Sequence, residues 1–225
     1  CGFWSVMALG IFDNDETPTV TAANKINEEG ETVSISFALS EESGRDISFN
    51  YATNNGTAIA GIDYTSQSSS ITFAAGESIK TINVVTLDDS LDEDRENFTV
   101  SLSNPTNVKL GTSVIEIALD DNDEEPTVSI NGSNASEGSN SATAVISLSS
   151  ASGKVITVDY LAFEANSAKA IEDFIPVSSS ITFAPGEIQK TIAIDLVNDT
   201  IREASESFDI SLGNIINAVA SVNDT

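Results

Sequence analysis

The chemistry open to this chain is carboxylate chemistry. It carries 35 Asp and Glu against 9 Lys and Arg, no His and one Cys, for a formal net charge of -26 over 225 residues. Without His there is no Ser-His-Asp or Cys-His nucleophile and no histidine-ligated zinc. Nucleic acids and anionic membrane surfaces are bound through Lys and Arg, so both would be repelled. In the first half the acids gather in four places: Glu28-Glu29, Asp63, the run DDSLDEDRE (88–96) and the run DDNDEE (120–125). Loops separated by one strand return to the same pole of a β-sandwich, where so many like charges repel strongly unless a cation sits among them. Calcium takes about six to eight oxygen ligands from carboxylates and carbonyls, which flexible loops supply; magnesium demands stricter octahedral geometry. The plainer alternative is a solvated acidic face. The run 88–96 is not an EF-hand loop, because it lacks a glycine at its sixth position. No Gly-rich phosphate loop, GxSxG or HExxH is present, and no enzyme activity is expected.

The elements that position these carboxylates occur twice. Residues 68–82 (SSSITFAAGESIKTI) and 178–192 (SSSITFAPGEIQKTI) match at 12 of 15 positions, at an offset of 110. Pro18 and Pro126, Glu29 and Glu137, Tyr51 and Tyr160, and Asp63 and Asp173 correspond at 108 to 110. So do Asp89 and Asp199, Glu93 and Glu203, Glu96 and Glu206, and Phe98 and Phe208. A period this long is a whole domain. Within each repeat apolar and polar residues alternate, the period of half-buried strands. TVSISFAL places Val33, Ile35, Phe37 and Leu39 on one face; Ile47, Phe49 and Tyr51, then Phe98, Val100 and Leu102, do the same. Their counterparts are Ala144, Ile146 and Leu148, then Ile156, Val158 and Tyr160, then Phe208, Ile210 and Leu212. Turn-forming clusters separate the runs at the spacing of an all-β sandwich. The expected fold is two tandem all-β sandwiches of about seven strands each. The expected bounds are 1–15 for an N-terminal strand and acidic linker, 16–123 for the first domain and 124–225 for the second.

The acids recur between repeats, which argues against a random charged face. GTAIAGIDY (56–64), SSSITFAAGE (68–77), DDSLDEDRENF (88–98) and LDDND (119–123) resemble the Calx-beta domain, a family named from the regulatory domains of sodium/calcium exchangers and also found in integrins and bacterial surface proteins. The resemblance covers nearly the whole chain. It implies an immunoglobulin-like sandwich whose distal loops bind calcium through Glu29, Asp63, Asp88, Asp89, Glu93, Glu96, Asp120 and Asp121. Glu28 is an alternate for Glu29, and Asp123 contributes through the linker. The second repeat departs from the pattern: Asn198 replaces Asp88, and FEANSAKAIEDF (163–174) degrades the glycine motif. Glu137, Asp173, Asp199, Glu203 and Glu206 remain, and fewer carboxylates imply weaker calcium affinity.

The two ends do not mirror each other. SVMALGIFDND (5–15) aligns without gaps, at an offset of 108, with SVIEIALDDND (113–123), the last strand of the first repeat. On the strict offset the second repeat stops where its own last strand should begin. Three readings compete: a chain cut from a longer array, a shortened second repeat closed by AVASVND (218–224), or donor-strand complementation. In the third, residues 4–12 of one subunit complete the second domain of the next, with Trp4, Met7, Leu9 and Ile11 at the interface. Asp13 and Asp15 would then stand where Asp121 and Asp123 stand, adding carboxylates to the depleted second cluster. The leading expectation is a calcium-stiffened structural or adhesive protein at a cell surface or outside the cell, of bacterial type. Its partners would be copies of itself or adjacent repeats, without nucleic acid and without a transmembrane segment. The alternative is a calcium-sensing regulatory pair attached to a larger protein.

Overall fold

A computed structural model describes residues 7, 9–10 and 14–221. Trp4, Ile11 and Asp13 lie outside the described residues, so the expected N-terminal strand is covered only in part. Every named element is a β-strand, and no helix among the described residues is long and apolar enough to cross a membrane. The chain forms two compact units. Cys1–Leu87 with Glu96–Leu119 make the first, and Asp88–Arg95 with Asp120–Thr225 make the second. The acidic segment 88–95 therefore groups with the second unit, although by sequence it belongs to the first repeat. Residues 120–123 group there too.

The first unit contains β1 (Thr19–Thr21), β2 (Lys25–Glu28), β3 (Thr32–Leu39), β4 (Ile47–Asn55), β5 (Ser68–Phe73), β6 (Ile79–Val85), β7 (Glu96–Thr106), β8 (Lys109–Leu110) and β9 (Val114–Asp120). They form two sheets, in the orders β6-β3-β1-β8 and β2-β9-β7-β4-β5. The alternating pattern sets the inward faces: Val33, Ile35 and Phe37 of β3 and Phe98 and Val100 of β7 are buried in one core. Phe37 meets Phe49 edge-on at 5.4 Å, a favoured aromatic geometry. The leading strand changes sheets. β1 pairs with β3 through Val20 and Thr21, then Ala22–Asn24 break the ladder and β2 continues beside β9. β9 closes the core with Ile115, Ile117 and Leu119, which are 0, 0 and 4 % exposed. This split, together with the two-residue β8, explains why more pieces are seen than the seven or so expected.

The second unit contains β10 (Thr127–Gly132), β11 (Ser141–Leu148), β12 (Ile156–Phe163), β13 (Val177–Phe183), β14 (Gln189–Asp195), β15 (Asp209–Ile216) and β16 (Val219–Ala220). Its sheets run β14-β11-β10-β16 and β13-β12-β15. β5 and β13 share SSSITF and hold the same edge position in their sheets. Among the described residues nothing occupies the place that β9 takes beside β7. Two differences follow from that. β10 does not change sheets but runs along β11 for five paired residues. β15 begins at Asp209, three residues later than the counterpart of Glu96 would place it, because those residues have no second strand to pair with. Val219–Ala220 pair in parallel with β10 as Lys109–Leu110 pair with β1. That part of AVASVND is therefore the counterpart of β8, not a last strand, and residues 222–224 lie outside the described ones.

Candidate metal centres

Asp63 and Asp173 sit in the same local device. Asp63 ends a tight turn in which the Ile59 N–H donates to its Oδ2 at 2.5 Å and its own N–H donates to the Ile59 carbonyl at 2.9 Å. Lys169 and Asp173 repeat this at 2.5 and 2.9 Å. The next ring anchors each turn: Tyr64 stacks on Phe98 at 4.1 Å and Phe174 on Phe208 at 4.3 Å. Each Asp carbonyl accepts the N–H of the residue that leads out of β6 or β14, Leu87 at 2.8 Å and Val197 at 2.9 Å. One carboxylate oxygen is thereby held by backbone. The backbone conformations differ at one point: Gly61 has φ of 86° in the first turn and Ile171 has 73° in the second.

Within the first unit, Asp63 and Glu96 have carboxylate oxygens within 4.8 Å of each other. Glu29 lies half-buried on the turn after β2, and Glu28 is exposed at the end of that strand. Within the second unit, Asp173, Glu203 and Glu206 bring carboxylate oxygens within 4.8 Å of one another. Asp199 turns its Oδ1 back to the Ile201 N–H at 2.6 Å, and its own N–H donates to Glu137 Oε1 at 3.0 Å. Five expected residues of the second repeat thus form one neighbourhood. Two of its carboxyls, Glu203 and Glu206, resist ionisation. Burial and the charges of Asp173, Asp199 and Glu137 hold the Glu203 carboxyl above its ordinary value. A hydrogen bond shared with Asp173, then burial, does the same for Glu206.

The segment 88–95 and residues 120–123 build a second acidic neighbourhood in the same unit. Asp121 and Asp123 have carboxylate oxygens within 4.8 Å of each other. Burial comes first in raising Asp123 above the usual carboxylate range, followed by the charges of Asp121, Asp88, Asp89 and Asp92. Asp123 Oδ2 is a buried oxygen with no hydrogen-bond donor. Asp88 accepts from Asn122 Nδ2 at 3.2 Å, and Asp89 accepts the Leu91 N–H at 2.8 Å. Glu93 packs beside Gly153, where a Cβ would collide with its carboxylate. Asp120, also in the expected ligand set, has its carboxylate gripped from two sides by Arg95, with Nη2 to Oδ2 at 3.0 Å.

Asp92 was not singled out by the sequence, and it is the most buried acid of the run at 3 % exposure. Its Oδ1 takes the Lys154 ammonium at 2.6 Å and its Oδ2 takes Ser152 Oγ at 3.1 Å. Ser152 Oγ also contacts the Asp92 carbonyl at 2.8 Å, and the Gly153 N–H donates to that carbonyl at 3.0 Å. These bonds bind 88–95 into the second unit. Burial disfavours the charged ammonium, yet Asp92, Asp121 and Asp94 outweigh it and leave Lys154 above its ordinary value.

All the donors in these neighbourhoods are oxygen, several are half-buried, and one buried carboxylate oxygen has no donor. Such a set fits a hard divalent cation. A family model of the Calx-beta domain matches residues 13–119 and 120–222. Sodium/calcium exchanger 1 of Rattus norvegicus is 29 % identical over 193 residues, covering 72 % of this chain and 19 % of the exchanger. Extracellular matrix protein 3 of Lytechinus variegatus is 28 % identical over 159 residues, covering 66 % of this chain and 5 % of that protein. The chain thus spans about a fifth, or less, of the length of these relatives. Among solved structures, CBD12 from CALX1.2 superposes with a TM-score of 0.46 at 20 % identity, covering 92 % of this chain and 83 % of that one. The apo form of the Calx CBD1 domain gives 0.45 at 23 %, covering 48 % and 100 %.

Proposed function

The chain belongs to the Calx-beta domain family, and on that premise we propose that it is a calcium-binding regulatory pair of β-sandwich modules within a larger protein. The observation that carries this reading is Asp123. Its Oδ2 is buried without a donor, and its carboxyl is pushed up by burial and by four neighbouring aspartates. A bound calcium ion would supply the missing positive partner and let these groups ionise together. Asp88, Asp89, Asp121 and Asp123 would hold one ion. Asp173, Glu203 and Glu206, with Asp199 and Glu137 beside them, would hold another. The ion neutralises charge and joins loops; no covalent chemistry is assigned to it.

The test is a melting curve of the full chain in EDTA, in magnesium and in calcium, with calorimetric titration of calcium. A ligand bound by the native state raises the melting temperature by mass action. Calcium should raise it saturably and magnesium far less. Equal melting in EDTA and calcium would overturn the proposal. The calorimetric midpoint separates two roles: about 10⁻⁷–10⁻⁵ M belongs to sensors and about 10⁻⁴–10⁻³ M to extracellular modules.

A structural or adhesive role at the cell surface is the second reading. It is favoured by the cleft in the second unit, where no strand among the described residues pairs with the outer edge of β15. The extracellular placement that goes with it draws on the names of two relatives, extracellular matrix protein 3 and adhesion G-protein coupled receptor V1. A millimolar calcium midpoint would support that role, and a micromolar one would count against it.

A further inference from the structure

We propose that the open cleft of the second unit accepts a β-strand supplied by residues 5–12 of a second copy of this chain. The cleft lies between the two sheets, along the edge of β15 that no strand among the described residues covers. Two adjoining cavities of about 740 and 680 Å³ share Gly132, Phe208 and Ile210 in their linings. Phe208, Ile210 and Leu212 are half-buried there, whereas their counterparts Phe98, Val100 and Leu102 are buried beneath β9. The first unit shows what fills such a cleft. β9 lies antiparallel to β7, with Ile115 opposite Val100 and Ile117 opposite Phe98, and sends Ile115, Ile117 and Leu119 inward.

Residues 5–12 repeat that strand at an offset of 108, which places Met7, Leu9 and Ile11 at the positions of Ile115, Ile117 and Leu119. Met7 and Leu9 are 83 and 85 % exposed, the most exposed large apolar side chains among the described residues. An edge strand left unpaired beside apolar side chains invites strand addition. The spacing points to a second copy. Residues 13–18 would separate the donated strand from β1 as residues 121–126 separate β9 from β10, six in each case. The donated strand is then followed by the next copy's first unit, as β9 is followed by the second unit. Such a head-to-tail contact leaves a cleft and a strand to be used by further copies, which makes a filament, or a ring where the rotation closes. Seating the strand would also give residues 133–137 the partner that β2 has in β9, so the leading strand of the second unit should change sheets as that of the first does. The inference does not depend on calcium.

The test uses the full chain and a variant carrying Met7→Asp and Leu9→Asp, two exposed positions where charge leaves the folded units untouched. Sedimentation follows the mass of both from micromolar concentration upward. A fluorescein-labelled peptide of residues 3–15 is titrated into the variant, with a scrambled peptide as control. The expected result is a full chain that grows into oligomers with concentration and a variant that stays monomeric. The variant should bind the peptide saturably and at least tenfold more tightly than the scrambled one. A full chain that stays monomeric overturns the proposal, and if it also refuses the peptide, the segment occupies its own chain's cleft. A variant that assembles like the full chain, or binds both peptides equally, overturns it too.

Discussion

Ile171 takes, at φ of 73°, the left-handed backbone that Gly61 takes at 86° in the matching turn of the first repeat. A β-branched side chain is strained there, since its Cβ crowds the backbone, at about 1–2 kcal/mol. Both residues donate their N–H to the ring residue that closes the turn, Tyr64 or Phe174, at 2.8 Å. Ile171→Gly should therefore stabilise the protein by about 1 kcal/mol, part of the relief being offset by the looser unfolded chain of a glycine. Denaturant unfolding of the calcium-free protein reads the change. A lower midpoint would show that the Ile171 side chain, 74 % exposed, contributes more by contact than its backbone costs.

Lys154 and Asp92 form the one ion pair with a nearly buried carboxylate among the described residues, the two side chains being 16 and 3 % exposed. Lys154→Met leaves the Asp92 charge buried with only Ser152 beside it, and should cost about 3 kcal/mol. Adding Asp92→Asn to that variant should recover part of the loss, which a double-mutant cycle of melting temperatures measures. The alkaline side follows from the raised Lys154 pKa. A folded value above the unfolded one, about 10.4, gives stability that is complete below the unfolded value and lost as pH climbs through the folded one. The natural protein should accordingly lose stability as pH climbs above about 10.4, and this pH dependence should flatten in the double variant.

Glu206 carries opposite signs with and without the ion. Free of metal, its carboxyl is disfavoured as an anion by Asp173 and Glu203. Glu206→Gln should raise the melting temperature in EDTA and shrink the rise that calcium produces. If the substitution lowers stability in EDTA, the repulsion inferred for this cluster is wrong.

Hydrogen exchange should report the free edge of the second unit. In β7, pairing with β4 and β9 leaves no unpaired edge from Thr99 to Ser101. In the Met7→Asp, Leu9→Asp variant, the alternate amides of Asp209–Gly213 that face away from β12 should exchange far faster than those of β7. Addition of the 3–15 peptide should slow them. Uniform protection of both strands before the peptide is added would show that something in the chain already covers β15.

Much of the fold is written in the alternation. TVSISFAL is β3 residue for residue, and its four large apolar side chains are the buried ones. The paired aspartates of the two turns and the Asp173, Glu203 and Glu206 group are legible because both repeats keep them. Asp92 was hidden for a physical reason. One aspartate among many looks like surface charge, and its partner Lys154 is 62 residues away. The available signal was scarcity: in a chain with nine basic residues, a lysine in the SGK turn has much to pair with. The strain at Ile171 and the sheet change after β1 were not readable either. The loss of the glycine at 171 was visible, but the left-handed φ that Ile171 keeps was not, and the sheet change depends on pairing with β9, far away in the chain.

The likeness of β5 to β13 has a meaning for how the chain reaches its structure. Both strands are SSSITF at a sheet edge, each held on one side only, by β4 or by β12. During folding either can zip onto either partner with an unbroken backbone ladder, so hydrogen bonding does not separate right from wrong. Separation falls to the inward side chains. Phe73 of β5 meets the Phe49 ring at 6.1 Å, whereas Phe183 of β13 stands in a core where Val158 replaces that ring. An exchanged strand would leave one core overfilled and the other short of an aromatic contact. Tandem repeats commonly fail by such cross-repeat misassembly. The divergence of the strands facing β5 and β13 thus works against exchange between the repeats while the chain folds.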